Sequence, residues 1–101
     1  MISYEVTIEA SDTSVERLDD YMIDKHIPDV LSAGCFVSAR YYRDGQRRRT
    51  IYEAETNGDL ERYLAEYAES LRADFAEHFP NSVSVSREIW EAVVGFSPAE
   101  P

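Results

Sequence analysis

The chain opens with ISYEVTI at residues 2–8, and this stretch decides the fold. Its apolar side chains stand at every second position, with serine, glutamate and threonine between them. Such alternation is typical of a β-strand that buries one face against a core and turns the other face outward. The stretch therefore predicts a first strand whose inward side chains are Ile2, Tyr4, Val6 and Ile8.

A helical pattern follows the first strand. Thr13 and Glu16 stand three positions apart, which is the spacing of a capping box at a helix N-terminus. Val15, Leu18 and Met22 then follow at the three- and four-residue spacing of a helix with one buried face. These residues predict that helix one begins at Thr13.

The end of helix one is marked by Pro28. A proline disfavours helical geometry in the residue before it, so we expect the helix to end or kink near His26. A last turn would then carry Val30 and Leu31. Gly34 predicts the stop, because glycine readily adopts the left-handed conformation that closes helices.

The middle of the chain predicts a β-hairpin. Residues 36–43 and 50–56 are rich in aromatic and β-branched side chains, and Asp44-Gly45 between them is a turn signal. The arginine run at residues 47–49 lies at or beside that turn. Three bases in an acidic chain are typical of a solvated turn, and binding of an anion or RNA is the alternative.

A second helix and a last strand complete the pattern. Apolar residues recur at helical spacing from Leu60 to Phe79, and Pro80 ends the run. Residues 83–89 then alternate as a final strand. The element order βαββαβ predicts an α+β, ferredoxin-like fold, in which a four-stranded antiparallel sheet carries two helices on one face.

The length of 101 residues indicates a single domain. We expect residues 1–96 to form it and residues 97–101, which contain two prolines, to form a flexible C-terminal tail.

The predicted sheet has one face that the helices cannot cover. The set expected to point at the helices is Ile2, Tyr4, Val6, Ile8, Val37, Ala39, Tyr41, Tyr52, Ala54, Val83, Val85 and Ile89. The set expected on the opposite face is Glu5, Thr7, Phe36, Ser38, Arg40, Tyr42, Ile51, Glu53, Ser86, Glu88 and Trp90. Interleaved aromatic and arginine side chains are typical of a protein interface, so the second set predicts a homodimer, with an ordinary exposed face as the alternative.

Charge limits the partners that the chain can have. Twenty acidic and ten basic residues give a formal net charge of −10, which repels phosphate backbones and anionic lipid surfaces. The βαββαβ order is shared with RNA-recognition domains, but their paired aromatics in a basic strand motif are missing. We therefore expect no nucleic-acid partner and, without a long apolar run, no membrane.

The lone cysteine and the excess of arginine over lysine also carry information. Cys35 has no partner for a disulfide, which indicates a reducing compartment, and we expect a cytoplasmic protein. Lys25 is the only lysine. Acid excess with little lysine fits a salt-adapted, halophilic protein, and it also fits a GC-rich genome that favours arginine codons.

Four stretches carry a family resemblance: ISYEVT at residues 2–7, KHIPDVL at 25–31, GCF at 34–36 and DLERY at 59–63. Together they resemble the dimeric α/β barrel superfamily of ferredoxin-like domains, which includes antibiotic-biosynthesis monooxygenase-like and stress-responsive barrel families. More narrowly, the chain is similar to a bacterial family in this superfamily whose function is uncharacterised. The resemblance implies the fold and a homodimer. It implies no activity, because members include monooxygenases, isomerases, haem-handling proteins and non-enzymes.

His26 is the residue closest to any chemistry. It continues the inward stripe of Leu18 and Met22, and a buried imidazole can act as a general base or a ligand donor, with a hydrogen-bonded structural histidine as the alternative. By resemblance, His26 and Pro28 match a histidine and a proline that recur beside the pocket between helices and sheet.

Five further side chains are predicted to bind a ligand: Tyr21, Arg40, Tyr42, Glu53 and Trp90. The aromatic members, with Tyr41, could line a pocket for a flat molecule, and core filling explains them equally well. Arg40 and Glu53 could hold an anionic or carbonyl group, with a cross-strand ion pair as the alternative. No metal-ligand spacing links the histidines and the cysteine, and we expect no cofactor.

Two functions remain open. The first is the binding or transformation of a small hydrophobic or aromatic molecule in a pocket near His26. This hypothesis leaves open whether the protein is an enzyme. The second is a non-enzymatic interaction or effector-binding module in which the dimer surface is the functional feature.

Overall fold

The computed structural model describes residues 1–81 and 83–99. Within them the chain forms four strands and four helices, and a π-helical turn at Met22–His26 joins the first two helices. The elements are β1 (Ile2–Ala10), α1 (Val15–Tyr21), α2 (Ile27–Ser32), β2 (Ser38–Asp44), β3 (Arg47–Ala54), α3 (Asn57–Glu66), α4 (Ala68–His78) and β4 (Val83–Glu91).

The sheet has the strand order β2-β3-β1-β4, and each neighbouring pair is antiparallel. Helices cover one face of it, and the other face, here called the open face, carries the odd-numbered residues of β1. The predicted α+β, ferredoxin-like architecture is therefore confirmed. Within the described residues, no helix has the length and apolar character needed to cross a bilayer.

The core lies between the sheet and the helices in two adjoining clusters. Tyr4 and Tyr52 form the floor of the first cluster, and Ile8 with Leu18 anchors the second. Tyr4, Tyr52 and Leu18 are each at most 3% exposed. The even-numbered residues of β1 do point inward, as the alternation in residues 2–8 predicts.

Helix one begins later than predicted. The N-cap is Ser14, and its hydroxyl bonds Ser11 rather than the end of the helix. The capping box expected from Thr13 and Glu16 is therefore wrong, because the chain makes a turn over residues 12–14 before α1 starts.

The π-helical turn explains how both ends of helix one face the sheet. Leu18 and Val30 are fully buried, yet twelve residues of regular α-helix would place them about 120° apart around the axis. The Ile27 N–H donates to the Met22 carbonyl five residues earlier, so the turn absorbs one residue and reduces this angle to about 20°. The first α-helix does give way to an irregular turn that ends at His26, where an end or a kink was predicted, and Gly34 with φ +76° closes the helix as expected.

The arginine run at residues 47–49 forms the start of strand β3 and not a turn. β3 begins at Arg47, so Arg48 shares the inward side with Thr50 and Tyr52, and only 6% of its side chain is exposed. Its guanidinium donates to both carboxylate oxygens of Asp19 at 2.7 and 3.1 Å. The Tyr41 hydroxyl donates to the same carboxylate at 2.7 Å. The expectation of a wholly solvated run is therefore wrong for Arg48.

Two residues depart from the predicted faces, and a third lies on its predicted face but is exposed. Phe36 precedes β2 and packs in the core, with its ring 4.9 Å from that of Tyr63. Val37 is 55% exposed, since it also precedes the strand. Ile89 lies opposite Tyr4 on the helix-facing side, but it sits on the edge strand beyond the cover of the helices and is 53% exposed.

The second helical region is two helices, because Tyr67 (φ −122°, ψ −34°) breaks the run. After β4 ends at Glu91, residues 92–99 form neither helix nor strand and are exposed. The domain limit at residue 96 stays a prediction, and residues 100 and 101 of the predicted tail lie outside the described residues.

Candidate functional site

His26 is the last residue of the π-helical turn. The turn comes directly before Ile27-Pro28, and a proline ring crowds the carbonyl four residues earlier in a regular helix. A π-helical turn of this kind often marks a functional site. The imidazole is largely buried, with its ring centre 5.8 Å from that of Phe75 and 5.7 Å from that of Tyr21.

A narrow cleft lies between the helices and the sheet beside His26, and we call it the helix–sheet cleft. Its cavity has a volume of about 30 Å³, which is room for one or two water molecules. Its walls are aromatic and apolar side chains with a few polar groups between them. They are Tyr4, Val6, Ile8, Met22, His26, Tyr52, Tyr63, Arg72, Phe75, Val85 and Arg87.

Two polar atoms on the cleft wall are buried without a hydrogen-bond partner among the described residues. They are Nδ1 of His26 and the hydroxyl of Tyr52. The Thr50 hydroxyl lies on the same side of β3, close enough to lower the pKa of Tyr52, and in the described part of the chain it too has no partner within hydrogen-bond geometry. A buried polar group left unpaired costs about 1–3 kcal/mol. Two residues of one cleft wall each carry such an atom, which makes the cleft the candidate site for a small polar molecule or ligand group.

Burial sets the protonation of these groups. It lowers the pKa of His26 to about 4, so the imidazole is neutral at pH 7. It raises the pKa of the Tyr52 phenol, and it raises that of Tyr63 to about 12, so both hydroxyls keep their protons. The floor of the cleft is neutral and offers hydroxyl donors.

Two arginines flank the cleft from opposite sides. Arg72 projects from α4 and donates to the Tyr4 hydroxyl at 2.9 Å. Arg87 lies on β4 opposite Val6, on the helix-facing side of the sheet. In the part of the chain that the structure describes, neither guanidinium forms an ion pair with a carboxylate.

Tyr21 stands behind His26 rather than in the cleft. Its hydroxyl donates to Asp74 at 2.5 Å, and Lys25 donates to the same carboxylate at 3.2 Å. Burial, and then the bond to Asp74, raise the pKa of Tyr21. The same bond lowers the pKa of Asp74. Tyr21 therefore helps to hold the imidazole in place, and its hydroxyl faces away from the cavity.

The other four predicted ligand residues lie on the open face. Arg40 and Tyr42 stand on β2, Glu53 on β3 and Trp90 on β4. Because β2 and β4 are opposite edges of the sheet, Tyr42 and Trp90 cannot share a pocket within one subunit. No ion pair joins Arg40 to Glu53 in the described residues, since Arg40 faces Ile51 across the ladder. The structure thus separates His26 and Tyr21 from the remaining four.

The open face is divided by charge across its width. The β4 and β1 half carries Glu5, Glu9 and Glu88 and no base. The β3 and β2 half carries three arginines beside two carboxylates: Arg40, Arg47, Arg49, Asp44 and Glu53. Its net charge is therefore +1, against −3 for the other half.

Several cleft residues escape prediction from the sequence. Tyr52 and Tyr63 read as core side chains, and nothing in the pattern shows that the Tyr52 hydroxyl would be left unpaired. Arg87 does leave a signal, because it interrupts the inward series of Val83, Val85 and Ile89 with a base. Within residues 1–81 and 83–99, no group of three histidine, cysteine or acidic side chains could hold a metal ion.

Solved structures with the same fold span nearly the whole chain. An Arabidopsis thaliana protein has a TM-score of 0.70 at 13% identity, over 96% of this chain and 100% of its own. A Deinococcus radiodurans protein proposed to be an antibiotic biosynthesis monooxygenase has 0.68 at 12%, over 99% and 100%. A dimeric ferredoxin-like protein from an uncultured marine organism has 0.68 at 14%, over 94% and 96%.

At these identities the likeness establishes the fold, and it confirms the resemblance drawn from the sequence. No protein of curated function matches the chain in sequence. The family is nevertheless clear: over residues 1–93 the chain matches the domain of unknown function DUF4286, and it belongs to that family.

Proposed function

We propose that the helix–sheet cleft binds a small molecule with a flat, largely apolar body, held at its polar edge by His26 and Tyr52. The observation that carries this proposal is the pair of buried, unpartnered polar atoms on one cavity. Aromatic and apolar side chains supply the remaining walls, which is the usual composition of a ligand pocket.

The low pKa of His26 favours binding over proton transfer. A general base works best when its pKa lies near the working pH, and a value of about 4 makes this imidazole a weak base at pH 7. A neutral imidazole remains a good hydrogen-bond partner. The proposed role of His26 is therefore to orient a ligand, and turnover would need a reactive group on the ligand itself.

Entry of a ring-sized ligand requires the cleft to widen. Arg87 is exposed and its long side chain can move aside, and movement of Arg72 would break its bond to the Tyr4 hydroxyl, whereas Met22 and Tyr52 are fixed in the core. The polar edge of the ligand would then satisfy both unpartnered atoms.

The test is binding of phenol and benzamide, followed by amide chemical shifts in NMR spectra. We expect shifts at cleft residues in the wild type, and weaker binding in His26→Gln and Tyr52→Phe. Tyr42→Phe, on the open face, is the matched control and should bind like the wild type. Absence of cleft shifts with both probes, or equal binding by all variants, would contradict the proposal.

We also infer that two copies of the chain associate through their open faces. Tyr42 and Trp90 are 45% and 59% exposed there, and such apolar area on a sheet is typical of an interface. This is the second candidate function, in which the dimer surface itself is the functional feature.

Charge selects how the two faces would meet. A two-fold axis parallel to the strands places the acidic half of one sheet over the basic half of the other. It also brings Glu88 of β4 opposite Arg40 on β2 of the second copy. These two side chains lie in the same row of one sheet, about 14 Å apart across three strand spacings, and therefore cannot pair within a subunit.

Charge reversal tests this arrangement by sedimentation at micromolar concentration. We expect Arg40→Glu and Glu88→Arg each to weaken the dimer and the double variant to restore it. Arg43→Glu, on the other side of β2, is the control. A monomeric wild type would refute association, whereas a double variant as weak as the single ones would refute only the orientation.

A further inference from the structure

The helix–sheet cleft differs from the rest of the molecule in charge. One residue in five of the chain is acidic, and yet no acidic side chain is among the eleven that line the cleft. Two of the eleven are arginines. The charge of the cleft lining is therefore positive, although the net charge of the chain is −10.

The two arginines are placed to act on the same group in the cleft. Arg72 comes from α4 and Arg87 from β4, and both lower the pKa of Tyr63 through their charge, which places both near that ring. Arg87 also lowers the pKa of His26, while the carboxylates of Asp29 and Asp74, outside the cleft lining, act on it in the opposite direction. Neither base is neutralised by a carboxylate in the part of the chain described, so both charges remain available at the mouth of the cleft.

From this geometry we propose that the ligand of the cleft is an anion, and specifically a small carboxylate with a flat apolar body. The carboxylate lies between Arg72 and Arg87, since guanidinium groups match carboxylates in shape and hydrogen-bonding pattern. The apolar body enters the aromatic cleft toward Tyr52 and His26. This inference rests on the proposed binding function of the cleft and adds the charge of the ligand.

Two neutral groups at the floor fit the same ligand. The Tyr52 hydroxyl keeps its proton and can donate, and the neutral His26 imidazole adds no negative charge that would oppose an anion. The negative charge elsewhere on the chain weakens long-range attraction of anions. Recognition must therefore come from these short-range contacts, and binding should weaken when salt screens them.

Benzoate and benzamide provide the experiment, because they share size and shape and differ in charge. We expect benzoate to bind at least about tenfold more tightly than benzamide at pH 7 and low salt. Arg72→Gln and Arg87→Gln should each remove most of this preference while benzamide binding is retained. Arg43→Gln, which removes an exposed arginine of β2 that lies outside the cleft and off the open face, is the matched control and should keep the preference.

The outcomes distinguish failure of the anion assignment from failure of the proposed binding function of the cleft. Equal binding of benzoate and benzamide, or a preference that survives both arginine substitutions, overturns the anion assignment and leaves the cleft as a binding site. Absence of cleft binding by both probes overturns the two together. Thermal melting of the unliganded variants checks that loss of the bond from Arg72 to Tyr4 has not unfolded the protein.

Discussion

Acidification should destabilise this protein through one residue, His26. The imidazole has a pKa of 6.5 in the unfolded chain and about 4 when buried. Between these two values the unfolded chain binds a proton that the folded chain does not, so the free energy of unfolding falls as the pH falls. Above pH 6.5 both states are neutral at this site, and below about pH 4 both are protonated.

The size of the effect follows from the two pKa values. Their difference corresponds to about 3 kcal/mol over the whole window, and about 2 kcal/mol of this is lost between pH 7 and pH 5. A domain of this size has a total stability of about 5–15 kcal/mol, so the loss is easily measured. The carboxyl groups of Asp19 and Asp74, whose pKa values are lowered in the folded chain, act below about pH 4 and lie outside this interval.

Urea unfolding followed by circular dichroism, at one fixed protein concentration, measures this dependence. The wild type should lose about 2 kcal/mol from pH 7 to pH 5, and His26→Gln should lose little. His78→Gln is the matched control, because His78 is exposed near the end of α4, and it should behave like the wild type. A loss of the same size in His26→Gln would refute the buried neutral imidazole.

Three further predictions concern stability. Asp19→Ala should destabilise the chain by about 3 kcal/mol in thermal or urea unfolding, because it leaves the buried Arg48 charge without its partner, whereas the exposed Asp20→Ala should have little effect. Gly34→Ala should cost about 1 kcal/mol, because its φ of +76° is unfavourable for alanine, while Gly58→Ala at an ordinary φ should not. The melting temperature should rise between low salt and 1 M salt, because salt screens the self-repulsion of a chain with net charge −10. A melting temperature that stays flat or falls with salt would contradict both this reasoning and salt adaptation.

The fold was predictable from periodicity, because the alternation of residues 2–8 identifies β1 and the element order βαββαβ then predicts the sheet and its helices. A period of two fixes the inward face of β1, and antiparallel pairing then assigns the faces of its neighbours. The same rule could have located Arg48, since it shares parity with Thr50, Tyr52 and Ala54. The charge of the run suggested solvent instead, and only the tertiary contact with Asp19 shows why a base is tolerated there.

The candidate site was less accessible to sequence reasoning. His26 could be placed on the inward side of helix one from its spacing, and Pro28 indicated an irregular helix nearby. The unpaired state of Nδ1 and of the Tyr52 hydroxyl depends on atomic distances between elements far apart in the chain. No periodicity encodes such distances, so the cleft becomes visible only when the helices are packed on the sheet.

The π-helical turn allows the architecture and the cleft to change separately. The π-helical turn accommodates one residue more than a regular helix would need to bury both Leu18 and Val30. Deletion of that residue alone is unfavourable, because a regular helix would have to accommodate the ring of Pro28. A gene that lost the codon for exposed Asp24 and exchanged Pro28 for alanine could encode an uninterrupted helix over the same sheet, with the imidazole at another height. Two small genetic events could therefore bring the imidazole into the cleft or remove it in lineages that keep the same scaffold.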